Sequence, residues 1–182
     1  TGCPLTENTP TLTDEQFKKI ADGCNKLGEL AAEKGMQVAY HHHMGTGIQT
    51  IEQYSKLMEL TDPKLVKCLL DTGHWTYAGE NAVEAFKKFI DRTAHIHLKD
   101  LRRSVCNDVT PKRYSYVGSV IEGVFTVPGD GDMVDWDGVF DVIKNSNYEG
   151  WIVVEAEQDP ALYDPLEYAQ KARAFIKEKL DV

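Results

Sequence analysis

The spacing of apolar residues changes several times along this chain, and each change marks an element. Residues 13–34, "TDEQFKKIADGCNKLGELAAEK", place Phe17, Ile20, Cys24, Leu27 and Leu30 at helical spacing, which predicts an amphipathic helix. Thr13 followed by Gln16 resembles a capping box, and Gly35 supplies a stop. The apolar run "MQVAYHH" then predicts a buried strand, residues 50–60 a second helix, and "TDPK" a turn. The unit recurs: "LVKCLLD" (65–71) reads as a strand, 81–92 as a helix, and "TAHIHLKD" (93–100) as a strand. A long connection over about 101–134 carries a short helix near "SYVGSVIEG"; helix 135–147, strand 150–156 ("GWIVVEA") and helix 164–180 close the chain.

Four apolar strands alternating with helices predict an α/β fold with a parallel sheet. It is either an open doubly wound sheet or a (βα)8 barrel. No GxGxxG turn follows a strand, which weakens the dinucleotide-binding option. A (βα)8 barrel usually needs about 250 residues, and this chain has 182. The expectation is a single domain over 1–182 that forms the C-terminal part of a barrel, about four βα units. Such a piece leaves two sheet edges and an unfilled interior, which invites pairing, including a homo-oligomer.

Composition narrows the function classes. Lys+Arg number 20 and Asp+Glu 29, a net charge of −9, which argues against nucleic acid or an anionic membrane surface as partner. The "KRY" at 112–114 is read as solvated surface. No apolar run is long enough to span a bilayer, and the opening "TGCPLTENTP" has neither a secretory pattern nor an initiator Met. Cys3, Cys24, Cys68 and Cys106 are widely spaced with no CxxC pair, which predicts a reduced, cytoplasmic chain without a thiolate cluster.

Each predicted strand ends in ionisable residues: His41, His42 and His43; Asp71 with His74; His95, His97, Lys99 and Asp100; Glu155 with Glu157. A strand-end Asp often caps the next helix, and an inward His pair is often hydrogen-bonded core. Recurrence at four strand ends changes the odds, because in a parallel barrel these ends open on one face. His41 and His43 share a side of their strand, whereas His42 points the other way and is read as a packing residue. Carboxylates mixed with imidazoles suit a single divalent ion, Mn²⁺ or Co²⁺ first and Mg²⁺ or Zn²⁺ as alternatives. The expected ligands are Asp71, His97 and Glu155, with His43 chosen over His41 as the fourth because it lies nearer the strand end.

The segments "LLDTGH", "HIHLKD" and "WIVVEAE" resemble the xylose isomerase-like barrel superfamily. Within it, "YHHHMGTGIQT", "DTGHWTYAG", "HIHLKDLR", "GVFTVPGDGDMVDW" and "GWIVVEAEQDP" in this order are similar to the inosose dehydratase family of myo-inositol catabolism. The resemblance runs from about residue 12 onward. It implies a hydro-lyase that removes water from 2-keto-myo-inositol (scyllo-inosose), a small polyol ketone, through an enolate. It also maps the superfamily's metal ligands onto Asp71, His97 and Glu155.

Under that resemblance His74 is the candidate acid or base, or else a hydrogen-bonding member of its loop. Lys99 polarises a substrate oxygen, or else ion-pairs with Asp100 or Glu155. His41 and His95 orient ligands or touch substrate. Trp75 and Tyr77 wall the pocket or pack the barrel rim. The connection 101–134 is long enough for a lid or binding element, and Asp130 and Asp132 of "VPGDGD" either expose N–H groups to a polyol or form a plain turn. Three rivals remain: a sugar isomerase or epimerase, a repair endonuclease disfavoured by the acidic charge, and a non-catalytic assembly fragment.

Overall fold

The structure, a computed structural model, describes residues 9–110 and 115–180. Cys3, the opening residues and "KRY" lie outside them. Four parallel strands form one sheet in the order β1 (Val38–His41), β2 (Val66–Asp71), β3 (Thr93–Leu98) and β6 (Trp151–Val154). Around it run α1 (Asp14–Ala32), α2 (Ile51–Leu60), α3 (Thr72–Tyr77), α4 (Ala82–Phe89), α7 (Trp136–Lys144) and α8 (Pro165–Leu180).

Local chemistry sets the ends of these elements. Thr13 and Gln16 form the expected capping box of α1, and Thr50 with Gln53 repeats it at α2. Gly35, with φ of +67°, takes the left-handed conformation just beyond α1. Asn81 and Asp135 cap α4 and α7. The buried stripe of α1 keeps Phe17 and Cys24 of the expected one, with Ile20 packed against the core, and adds Ala21 and Gly28. Leu27 and Leu30 are 59% and 52% exposed, because Ala21 and Gly28 let the helix sit closer to the sheet on a rotated face.

Side-chain alternation separates the two faces of the sheet. Val66, Cys68 and Leu70 of β2 and Ile96 and Leu98 of β3 join Phe17, Tyr54, Leu57, Phe86, Val139 and Ile176 of the helices in one core. Tyr40, Ile152 and Val154 pack against the same core. The intervening residues His41, Asp71, His95, His97 and Val153 belong to the opposite face. A doubly wound sheet would bury both faces under helices; here the helical core gathers on one, as in a barrel.

The connection after β3 is more structured than expected. It contains β4 (Asp100–Leu101) paired antiparallel with β5 (Phe125–Thr126), and helices α5 (Arg103–Val109) and α6 (Tyr116–Ile121). Met44, Tyr77, Leu101, Cys106, Val109, Val124 and Phe125 give it a second, smaller core. Asp100 holds its exit, accepting the N–H groups of Leu101, Met133 and Val134 and the indole N–H of Trp136. Arg102 donates to Gly123 O, Phe125 O, Thr126 Oγ1 and Asp130 Oδ2 and lies over the Tyr163 ring. Asp130 also takes Lys171, and Asp132 takes the Arg103 N–H, so both aspartates act as turn fasteners here.

Arg92 joins the end of α2 to the start of β2. Its guanidinium donates to the carbonyls of Met58, Thr61 and Val66 and to Thr61 Oγ1. Replacing it with Met leaves these carbonyls without their charged donor. Arg92→Met should therefore cost roughly 3 kcal/mol, read as a lower urea midpoint with unchanged site geometry.

Candidate active site

The parallel register brings the four strand ends to one level. Asp71 stands opposite His97, Leu98 opposite Val154, and the Glu155 N–H bonds Leu98 O. His41 is the last residue of β1 and Asp71 the last of β2. His41 Nε2 lies 3.3 Å from Asp71 Oδ2. His97 Nδ1 lies 3.6 Å from the same oxygen and 3.2 Å from Glu155 Oε1. Asp71 and Glu155 therefore approach the same His97 nitrogen.

Asp71 divides its two oxygens between two tasks. Oδ1 caps α3 by accepting the N–H groups of Gly73 and His74, while Oδ2 faces His41, His97 and Lys99. The side chain has no exposed surface. Burial disfavours its charge, but the Lys99 ammonium and the His41 and His97 imidazoles hold its carboxyl well below the usual range.

Lys99 is equally buried. Its Nζ lies 2.7 Å from Glu157 Oε2, 2.8 Å from Glu155 Oε2, 3.3 Å from Asp71 Oδ2 and 3.2 Å from His74 Nε2. Burial works against its charge, yet the three carboxylates outweigh burial and push its pKa up, so it stays an ammonium. Asp100 is turned to its own backbone ring of donors and is not Lys99's partner. The side chain of Lys99 passes where a Cβ on Gly73 would fall, 1.9 Å from Lys99 Cγ, so only glycine fits there.

Imidazoles complete the site; all six histidines of the chain lie in it or against it. Burial drives His74 below its ordinary range and leaves it neutral, with Nε2 facing Lys99 and Nδ1 without a hydrogen-bond partner among the described residues. His97 behaves oppositely. Burial opposes its charge, but Asp71 and Glu155 raise its pKa to about 9. Glu155 is pushed up by burial and pulled down more strongly by His97 and Lys99, to about 2.

Two expectations need correction. His43 lies beyond the end of β1, in the turn; its Nδ1 is 2.8 Å from Met44 O and its ring lies tilted against His74, with centroids 3.7 Å apart. His41 takes the place beside Asp71 and His97 that the sequence reading gave to His43. Trp75 does not wall a pocket. It is wholly buried in the helical core, stacked at 3.4 Å on His42, with Tyr54 edge-on. Tyr77 is also buried, its hydroxyl 2.6 Å from Ser119 Oγ. His95 remains on the site's side of β3, with its ring centroid 5.1 Å from that of His97. His42 is the packing residue expected.

Among the described residues two groups of donors are close enough to hold an ion: His41, Asp71 and His97, and His43, His74 and Glu157. Glu157 and Tyr116 were given no role in the sequence reading. Glu157 could have been suspected from its two-residue spacing after Glu155; Tyr116 reaches the site from α6, where no local pattern marks it. A separate groove of about 760 Å³ lies along β6 and α8, lined by Val127, Ile152, Val154 and Tyr163, and meets the site only at Glu157.

Comparison with known proteins agrees with this architecture. Residues 3–179 match the xylose isomerase-like TIM barrel family. The chain is 54% identical over 176 residues to an inosose dehydratase of Bacillus anthracis and 54% identical to one of Clostridium tetani, covering 97% of this chain and 59% of each relative. It thus spans about three-fifths of the length of the curated relatives it matches. Among solved structures, a probable 3-DHS dehydratase, AsbF, of Bacillus anthracis superposes with a TM-score of 0.72 at 16% identity, covering 97% of this chain and 61% of that one. The IOLI protein with a bound zinc atom gives 0.69 at 21% identity, covering 97% and 60%.

The opposed shifts of His97 and Glu155 fix a pH window for the chain with divalent ions chelated. His97 rises from 6.5 to about 9, so its contribution is complete below pH 6.5 and is lost as pH climbs through 9. Glu155 falls from 4.5 to about 2, so its contribution is complete above pH 4.5 and is lost as pH drops through 2. Thermal midpoints in chelator should fall as pH climbs from 6.5 through 9, and should fall also below 6.5, where His42 and His74, held neutral in the fold, take up protons on unfolding. His97→Gln should flatten the alkaline limb. A midpoint still rising from pH 7 to 9 would contradict the ion pairing.

Proposed function

The chain belongs to the xylose isomerase-like TIM barrel family, and from that premise we propose that it carries the catalytic face of an inosose dehydratase. The reaction is loss of water from 2-keto-myo-inositol. The observation that carries this reading is the 54% identity, over 97% of the chain, to proteins named for that activity. The activity belongs to the whole barrel, to which this chain contributes four strands as one domain.

A divalent ion, Mn²⁺ or Co²⁺ by preference, would be held by His41, Asp71, His97 and Glu155. Their chemistry fits: His41, Asp71 and His97 offer a hard carboxylate oxygen and imidazole nitrogens within reach of one another, Glu155 joins them through His97, and the buried His97 Nδ1 is aligned for a hydrogen bond with neither neighbouring carboxylate. When bound, such an ion withdraws electron density from a ketone or hydroxyl oxygen and lowers the cost of negative charge on it.

The chain's own groups supply the rest. Lys99, held as an ammonium, lowers by its charge the cost of negative charge developing on a substrate oxygen. His74, held neutral against Lys99, is the group suited to move a proton, and each such group contributes roughly 10²–10⁴-fold. His95 and His41 border the substrate. The net charge of −9 suits an uncharged polyol rather than nucleic acid. No helix of the described residues is long and apolar enough to cross a membrane. The free, buried thiols of Cys24 and Cys68 suit a reduced, cytoplasmic setting.

The test is an assay of the native protein on scyllo-inosose, following absorbance of the dione product. Chelation should abolish turnover and Mn²⁺ or Co²⁺ should restore it. Asp71→Asn and His97→Gln should lose bound metal and at least about 10²-fold in kcat. Dehydration untouched by chelator, or epimerisation of a ketose without loss of water, would overturn the reading.

Gly73→Ala offers a second check. It displaces Lys99 without removing any donor. We expect kcat to fall about 10²-fold while bound metal is retained, since no ligand has been touched.

A further inference from the structure

Glu157 has no task in the reaction outlined above, yet its backbone is the most constrained at the site. Its φ of +47° is the only positive value at a non-glycine position among the described residues. A side chain with a Cβ meets steric opposition there, and Glu lacks the short polar group that lets Asn or Asp tolerate it. The sheet does not impose this conformation, because β6 ends at Val154. Charge balance does not require it either, since Lys99 already has Glu155 at 2.8 Å and Asp71 at 3.3 Å.

The strained residue places its two oxygens on groups from different parts of the fold. Oε2 lies 2.7 Å from the Lys99 ammonium, at the end of β3. Oε1 accepts a hydrogen bond from the Tyr116 hydroxyl. Tyr116 comes from α6, in the connection, and its ring sets edge-on against His43 at 4.5 Å and tilted beside His74 at 5.9 Å. The carboxylate thus ties a donor of the barrel to a donor of the connection.

We propose that Glu157 is a positioning residue whose strained backbone fixes the Lys99 ammonium and the Tyr116 hydroxyl on one carboxylate, so that the charge of the first and the acceptor lone pairs of the second are set together toward neighbouring hydroxyls of a polyol. The inference rests on the polyol reading above and adds Tyr116 as a substrate-facing group. Strain held where packing does not demand it is the expected mark of such a role.

Glu157→Ala, Glu157→Gly, Glu157→Gln and Tyr116→Phe separate the possibilities in the native protein. Alanine removes the carboxylate and keeps the strain; glycine removes both. The glycine variant should melt about 2–4 °C above the alanine variant. Both should lose about 10²-fold in kcat and in kcat/KM together, with Mn²⁺ content unchanged. Glutamine, which keeps an acceptor oxygen, should recover part of the loss, and Tyr116→Phe should lower kcat without loss of metal.

A glycine variant that turns over at the wild-type rate would overturn the proposal. So would one that loses metal along with kcat, since Glu157 would then be a ligand. If the wild type instead epimerises a ketose, the dehydratase reading falls and the same variants are read on that reaction, with the same expectation. A wild type without either activity ends both readings.

Discussion

Asp71 is a carboxylate with no water to solvate it, and the site is arranged around that constraint. A buried anion needs a cation or several donors. Asp71 has both: two backbone N–H groups at the start of α3 on one oxygen, and Lys99 with two imidazoles around the other. Lys99 can reach it only because position 73 has no side chain to block the way. The cap that begins a helix and the charge that organises the chemistry are thus one residue. A neutral replacement at 71 disturbs the start of α3 as well as the cluster of charges.

The remaining groups follow from the pairing of the strands. Parallel register puts Asp71 opposite His97 and brings Glu155 beside Leu98, so neighbouring strands end at one height. Alternation then turns Val66, Cys68, Leu70, Ile96 and Leu98 to the helices and the ionisable residues to the other side. Shifting any one strand by a single residue would send its site residue into the helical core. Geometry this dependent on register is stable because the apolar face enforces it.

Much of this was readable from the letters, because strands and amphipathic helices carry their periods openly. The four strands, the Thr13 cap and the shared endpoint of Asp71, His97 and Glu155 needed only local pattern and the logic of a parallel sheet. The choice between His41 and His43 depended on where β1 ends, and that is set by pairing with β2 rather than by β1 itself. Trp75 misled because a residue next to a catalytic candidate reads as pocket wall, whereas one turn of α3 sends it inward. Helices α3 and α5 and the β4–β5 pair are too short to show a period. Tyr116 depends on a contact 41 residues distant in sequence, which no spacing rule detects.

The connection between β3 and α7 has its own small core and is tied down at its base by Arg102 and Asp100. Those ties are polar and directional, and the apolar packing beneath them is only a few residues deep, with Met44 and Tyr77 lent by the barrel, whereas the sheet and helices share one continuous and larger apolar interior. The molecule therefore contains two cooperative units of unequal depth. Backbone amides of α5 and α6 can exchange with solvent through a local opening that leaves β2 and β3 protected, and Tyr116 would leave the site with them. Access to the carboxylates and imidazoles is then governed by the weaker unit, while their spacing is kept by the stronger.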